Sequence, residues 1–343
     1  MDAMGRDGSP IRVAVIGCGR IGQLHAGLLA REIPGLELAY VADAVPEAAE
    51  VAAAKAGCEV LGIEQILSAP QVDAVAICSS TDTHVDLIEK AAAAGKAIFC
   101  EKPVSLDLAQ VRRARKAVIQ SGVPFMVGFN RRFDPGHASV RDAVSRGEVG
   151  RVQLVRITSR DPMPPPLEYL AVSGGLFMDM AIHDFDMARF VTGSEVVEVF
   201  ARGAVRVDPR IRDVGDVDTA VTVLMHSDDT LTTIDNSREA VYGYDQRLEA
   251  FGSLGLAISD NHRIHQGWTM TRQRSTTQPL PWFFLERYRD AYRREWEAFG
   301  EYLTHGGPSP AGVDDALAAT AIALAAGRSL KAGHPVSVQE VVG

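Results

Sequence analysis

The sequence is poor in cysteine, and the few it has form no pairing pattern. Cys18, Cys58, Cys78 and Cys100 all fall in the first third of the 343 residues, and none stands in a CxxC. That spacing argues against a disulfide framework and suggests a reducing, cytoplasmic setting. Most of them sit at or just after short apolar runs, where a buried thiol is the plainest expectation. Long apolar runs are missing as well. The most apolar late stretch, Ala316 to Ala326, is too short and too alanine-rich to span a membrane. Met1 to Pro10 is polar with no apolar core, so it reads as a loose lead-in and not as a signal peptide. Nor is there an excess of positive charge. Lys and Arg number 35 against 44 Asp and Glu, a formal net charge of −9. That balance argues against nonspecific binding to nucleic acid or anionic lipid. It leaves room for a local basic pocket around a phosphate-bearing cofactor. No internal repeat occurs.

What is present is a globular composition, 46% hydrophobic and 23% charged. The length predicts two domains. Residues 1–128 alternate strand and helix patterns, which predicts a parallel α/β sheet. Ile11 to Ile16, Leu36 to Ala42, Ala74 to Ile77, Ala97 to Cys100 and Pro124 to Gly128 read as strands. Ile21 to Ala30, Pro46 to Ala56, Thr83 to Ala94 and Asp107 to Gln120 read as helices, with Gly95 closing the third. Residues 129–343 change character. Arg151 to Thr158 reads as a longer strand and Leu176 to Val191 as one helix. Val196 to Asp260 reads as successive antiparallel strands, turning at Ser227–Thr230 and Gly252–Gly255. Two helices follow, Phe283 to Leu303 and Val313 to Ala332, free to pack back on the first domain.

Gly17-Cys18-Gly19-Arg20-Ile21-Gly22 is a GxGxxG between an expected strand and an expected helix, the context that gives this common pattern its meaning. Gly17 permits the tight turn, Gly19 removes a side chain that would block a pyrophosphate, and Gly22 lets helix approach strand. The helix N-terminus then offers N–H groups and a positive dipole end. Asp43 follows at the end of the second strand, where a carboxylate can accept both ribose hydroxyls of an adenosine. It would repel a 2′-phosphate, and the following Ala44 and Val45 offer no cation to bind one, so NAD is expected over NADP.

Glu101-Lys102-Pro103 ends another expected parallel strand, on the side where open α/β sheets bind ligands. A lysine there can face a nicotinamide and exchange a proton with the reacting group. Asp179 and His183 lie four apart in Gly174 to Asp184, a spacing that puts both on one helix face. The carboxylate can then orient the imidazole, and the imidazole can take a hydroxyl proton as hydride leaves carbon. The plain alternative is a surface ion pair. Two such residues are too few for a metal site, and His262 with His265 reads as a solvated loop. Arg112, Arg113, Arg115 and Lys116 read as a solvated helix face, and Trp296 with Phe299 as packing.

These stretches together resemble the glucose-fructose oxidoreductase/inositol dehydrogenase/rhizopine catabolism (Gfo/Idh/MocA) family, over essentially the whole chain. The markers are GCGRIG at Gly17–Gly22, EKP at Glu101–Pro103 and GGLFMDMAIHD at Gly174–Asp184. The resemblance implies a Rossmann domain followed by a domain on a large open, mostly antiparallel sheet. It implies Lys102, Asp179 and His183 as catalytic residues. Cofactor contacts would come from Gly17, Gly19, Arg20, Ile21, Gly22, Asp43, Ser79, Ser80, Thr81, His84, Glu101 and Lys102. Ser79 to His84 resembles the family loop that passes under the cofactor, and its Ser, Thr and Asp side chains are also natural helix N-caps. Relatives cover the open sheet with another subunit, which implies a homotetramer.

Gly128 to Asp134, Arg160 to Pro162 and Tyr242 to Asp245 resemble substrate-pocket segments of the family's inositol-oxidising members. They imply oxidation of a secondary hydroxyl on a cyclic polyol, myo-inositol or an isomer first and an aldopyranose second. Lys102, Arg131, Asp161, Asp179, His183, Tyr244 and Tyr292 would line the pocket. The chain departs from those members at Ser159 and Asp161, where they carry basic or amide residues; this bears on which polyol is taken. Some relatives only bind dinucleotide and lack the catalytic residues. Here Lys102, Asp179 and His183 are all present, which favours catalysis.

Overall fold

The computed structural model describes residues 8–343, so the first part of the Met1–Pro10 lead-in lies outside the described residues. The chain divides into two compact units. Unit 1 runs up to Asn130 and takes in Tyr292–Thr320; unit 2 comprises Arg131–Ala291 and Ala321–Gly343.

Unit 1 begins β1 (Ile11–Ile16), α1 (Arg20–Arg31), β2 (Leu36–Ala42), α2 (Pro46–Ala56), β3 (Glu59–Val60), α3 (Ile63–Ser68) and β4 (Ala74–Ile77). It continues α4 (Thr81–Ala93), β5 (Ala97–Cys100), α5 (Leu108–Ser121) and β6 (Phe125–Val127). The strands are all parallel, in the order β3-β2-β1-β4-β5-β6. Every residue of β4 and β5 is buried, as expected of central strands covered on both faces. α2 is bounded by Pro46 at its first turn and by Gly57 in the left-handed region. The order reverses between β1 and β4, so the carboxyl ends of these strands flank the crevice where such sheets bind ligands. β3 and α3 went unread because β3 is two exposed residues. The segment 292–320 joins this unit: Val127 donates its N–H to the Ala311 carbonyl, and Trp296 stacks on Phe99 at 4.6 Å.

Unit 2 opens with a 3-10 turn, Asn130–Phe133, whose first residue closes unit 1. It continues α6 (Pro135–Ser145), β7 (Val152–Arg160), α7 (Leu167–Leu170), α8 (Gly175–Asp179) and α9 (Ile182–Thr192). Then come β8 (Val196–Ala204), β9 (Thr219–His226), β10 (Leu231–Ser237), β11 (Asp245–Gly252), β12 (Leu256–Ser259), β13 (Trp268–Met270) and β14 (Ser275–Thr277). The last elements are α10 (Phe284–Arg287), α11 (Arg289–His305), α12 (Val313–Ala332), β15 (Val336–Ser337) and α13 (Gln339–Val342). α11 and α12 each run across a boundary between the units.

The main sheet has the order β12-β11-β7-β10-β9-β8-β15. Only β7 and β10 pair in parallel; the other neighbours are antiparallel. Burial alternates along β9, β10 and β11, the signature of a sheet with one covered face. α6 and α9 pack on β7, β11 and β12. The other face leaves Val221, Phe251 and Ile258 exposed within the chain.

Two helices expected as continuous are broken. Leu176 to Val191 is α8 and α9, separated where the Ala181 N–H reaches back to the Leu176 carbonyl. Leu176, Phe177, Met178, Met180, Ala181 and Ile182 are all buried, so the segment has no single apolar face and periodicity could not reveal the break. The helix expected from Phe283 is likewise interrupted at Tyr288.

Candidate active site

In unit 1 the glycine turn is built as its spacing required. Gly17 has φ +100°, and a Cβ there would run into the Ser79 backbone. A Cβ on Gly22 would meet the Gly17 carbonyl. Gly19 differs, for nothing lies within 4 Å of where its Cβ would be. It is the N-cap of α1, with no side-chain cap, so Arg20, Ile21 and Gly22 open a helix end whose N–H groups face outward. Asp43 accepts the Cys18 N–H at 2.6 Å and the Val45 N–H at 2.8 Å, which holds its carboxylate beside the turn.

The expected side-chain cap on α4 is absent. Ser80 is the N-cap residue but its side chain makes no cap; beside it the Ser79 and Thr83 hydroxyls lie 2.6 Å apart, and Thr83 Oγ1 donates to the Ser80 carbonyl at 2.8 Å. Thr81 begins a helix whose N-terminus is therefore left open to a ligand. His84 is buried, with Nδ1 2.9 Å from the Pro103 carbonyl and Nε2 3.0 Å from the Ser79 carbonyl. Burial lowers its pKa, so the neutral ring donates to one carbonyl at a time. It tethers the loops that follow β4 and β5.

Glu101 was expected at the cofactor, but its carboxylate is turned inward. It lies 2.8 Å from His25 Nε2 and 3.1 Å from the Lys102 N–H. Trp296 donates its indole N–H to His25 Nδ1 at 2.9 Å, so the His25 proton sits on Nε2 and is donated to Glu101. Lys102 itself is half-buried, and its peptide bond to Pro103 is cis. Behind this chain lies Glu295, fully buried, with neither carboxyl oxygen hydrogen-bonded among the described residues. Burial, and then the nearby Glu101, push its pKa well up. His25 and Glu295 were not found from sequence. Tyr292 also belongs to unit 1, where its ring meets His25 edge-on at 5.6 Å.

In unit 2, Asp179 ends α8 and His183 lies in the first turn of α9, so their spacing spans a helix junction and not one helix face. The Asp179 carboxylate accepts Tyr169 Oη at 2.8 Å and Arg238 Nη1 at 3.0 Å. Arg238, wholly buried, also reaches Asp216 at 3.4 Å, and Asp216 accepts the Leu176 N–H that opens α8. Gly175 lies against this carboxylate: a Cβ there would sit 2.9 Å from Asp216 Oδ1, and its φ is +79°. Arg131 pairs with Asp184 at 2.6 Å, donates to Ser159 Oγ at 3.1 Å and covers the Tyr288 ring. Asn236 donates to the other Asp184 oxygen at 2.8 Å. Tyr244 is buried, edge-on to Tyr288 at 5.9 Å. Asp161 stands in the field of Arg131, Arg238, Asp179 and Asp184, yet its carboxylate accepts no hydrogen bond among the described residues. The fold thus brings Arg131, Asp161, Asp179 and Tyr244 together. Asp184, Asp216, Asn236, Arg238 and Tyr288 were missed. Asp184 and Asp186 did leave a signal: two carboxylates interleaved with Ile182, Phe185, Met187 and Ala188 fall on buried positions of the helix and need buried partners.

His262 and His265 are exposed, and among the described residues no group of three or more His, Cys, Asp or Glu could hold a metal ion.

The family model described as "Oxidoreductase family, NAD-binding Rossmann fold" matches residues 11–129, and that of the GFO/IDH/MocA C-terminal domain matches residues 137–258. The chain belongs to this GFO/IDH/MocA oxidoreductase family. It is 46% identical to the inositol 2-dehydrogenase of Rhizobium meliloti, over 96% of this chain and 99% of that protein. It is 44% identical to the myo-inositol 2-dehydrogenase of Thermotoga maritima, over 97% of this chain and 100% of that one. Its fold matches a Lactobacillus casei scyllo-inositol dehydrogenase solved with NAD(H) and scyllo-inositol, with a TM-score of 0.89 and 28% identity, covering 96% of this chain and 100% of that one. Like other members of the GFO/IDH/MocA family, the chain is an oxidoreductase that uses NAD. The residues present fit that cofactor. The space beside Gly19 and the uncapped N-terminus of α1 suit a pyrophosphate, and the Asp43 carboxylate suits a ribose.

Proposed function

We propose that the chain oxidises a secondary hydroxyl of a cyclic polyol, myo-inositol or an isomer, to the ketone. The observation that carries this reading is the polar group of unit 2, in which Arg131, Asp161, Asp179, Asp184, Arg238 and Tyr244 share one neighbourhood. Such a group suits a ligand with hydroxyls all round a ring. A simple alcohol or short hydroxy acid has too few hydroxyls to meet a group spread over several directions, and would leave the Asp161 carboxylate without a donor. The similarity to relatives named for inositol oxidation supports the same substrate.

Bound NAD supplies the hydride acceptor. On this reading His183 takes the hydroxyl proton, and Asp179, held by Tyr169 and Arg238, stabilises the resulting imidazolium. Lys102 donates a hydrogen bond to the reacting oxygen. Its backbone is fixed by Glu101, and Pro103 by His84. Initial rates at 340 nm across inositol isomers, aldoses and hydroxy acids, at saturating NAD, test the reading. Activity confined to hydroxy acids, or absent from every polyol and sugar, would refute it.

We also propose a cytoplasmic homotetramer without nucleic-acid or membrane partners. Four free cysteines, the net charge of −9 and the apolar residues on the open sheet face support this. Sedimentation that found only 36.9 kDa particles at micromolar concentration would contradict the assembly.

A further inference from the structure

The polar group of unit 2 is uneven in how its charges are matched. Arg131 is engaged by Asp184, and Arg238 by Asp179 and Asp216. Two guanidinium groups therefore already hold three carboxylates. Asp161 is a fourth. It follows the last residue of β7, where its N–H is fixed on the Ser237 carbonyl at the end of β10. Its backbone is thus set by the sheet, while its carboxylate takes no hydrogen bond from the described residues. The charged and titratable groups around it are Arg131 from the 3-10 turn, Arg238 after β10, Asp179 of α8, Asp184 of α9 and Tyr244 before β11. A carboxylate oriented by its backbone, beside residues assigned to the substrate, with its acceptor sites open, is equipped to receive donors from a ligand.

We propose that Asp161 selects substrate by charge. Its carboxylate accepts two neighbouring ring hydroxyls of a neutral polyol, or an ammonium in place of one of them, and repels a ring that carries a carboxylate. The substrate class is then neutral and amino-substituted cyclitols, with uronates excluded. This inference rests on the cyclic-polyol reading above. Burial, only partly offset by Arg131 and Arg238, raises the Asp161 pKa to about 6, so the carboxylate is mostly charged at pH 7 and mostly protonated at pH 5.

The test follows inhibition of myo-inositol oxidation at pH 7 by an aminodeoxyinositol and by glucuronate. The amine should bind at least about tenfold more tightly than the uronate, the scale of one charge-assisted hydrogen bond gained or lost. In Asp161→Asn the two should come within about threefold, and the KM for myo-inositol should rise about tenfold or more while the KM for NAD stays unchanged. Asp161→Glu should restore the order. If Asp161→Asn does not fold, the wild-type comparison still decides. Equal inhibition by amine and uronate in an enzyme that does oxidise inositol would overturn the inference alone. An enzyme that oxidised no cyclic polyol would overturn the substrate reading and this inference with it.

Discussion

In unit 1 the positions that matter for the cofactor are mostly bare of side chain. Gly17, Gly19 and Gly22 leave backbone and space, and two helix ends stand without side-chain caps. In unit 2 the corresponding region is filled with charge. Arg131, Asp184, Asp186 and Arg238 are each almost wholly buried and held by partners. On the proposed function, the two designs follow from their ligands. A pyrophosphate is bound by N–H groups and a helix dipole, which any sequence supplies once glycine lets it approach. A ring of hydroxyls has no single charge to bind and must be met by side chains pointing from several directions.

The difference predicts where substitutions harm the fold. Asp184→Ala leaves the Arg131 guanidinium buried beside Ser159 without its carboxylate and Asn236 without its acceptor, and should cost about 3–5 kcal/mol of stability. Urea unfolding followed by fluorescence measures it. A loss below about 1 kcal/mol would mean that unit 2 does not depend on this pair.

Chemistry should separate from folding at the residues proposed to act on the substrate. Lys102→Ala and His183→Ala should each lower kcat about 10²-fold or more, the scale of general acid–base assistance, with little change in Tm. Near-normal turnover in both would refute the assignment, whichever unit the residue belongs to.

The contrast also explains what could be read from the chain beforehand. The cradle of unit 1 was legible because its parts are local: Gly17 to Gly22 within one turn, Asp43 at the next strand end, and Lys102 at the end of β5. The group in unit 2 draws on residues 131, 161, 179, 184, 216, 236, 238 and 244, brought together by β7 and β10 pairing in parallel across a long separation in sequence. Periodicity carries no trace of such a meeting. Only the family resemblance pointed to Arg131, Asp161 and Tyr244, and it did not reach Arg238 or Asp184. Some omissions were avoidable. Asp134-Pro135 announces α6, with Asp134 capping it and Pro135 in its first turn, and went unread.

Cofactor choice gives a smaller effect, set by one side chain in a site otherwise made of backbone. Asp43, fixed by the Cys18 and Val45 N–H groups, cannot easily turn away from a 2′-phosphate. The ratio of kcat/KM should favour NAD over NADP by about tenfold or more, the equivalent of 1.4 kcal/mol or more. Equal use of NADP would contradict the role given to Asp43.

Glu295 stands apart within unit 1, a fully buried carboxyl group that, unlike its neighbour Glu101, accepts no hydrogen bond among the described residues. An ionised carboxylate there would be both desolvated and repelled, so the proton stays on. The folded pKa is raised above the ordinary 4.5. Its contribution to stability is therefore complete below that ordinary value and is lost as pH rises through the folded one. Glu295→Gln keeps the shape and cannot ionise. Its Tm relative to wild type should therefore be greater at pH 8 than at pH 5, while kcat, which the proposed function assigns to Lys102 and His183, changes little. A variant destabilised equally at both pH values would instead mean that the wild-type carboxyl is held charged. Unit 1 would then hold a second buried anion beside Glu101, and its contrast with unit 2 would be one of degree.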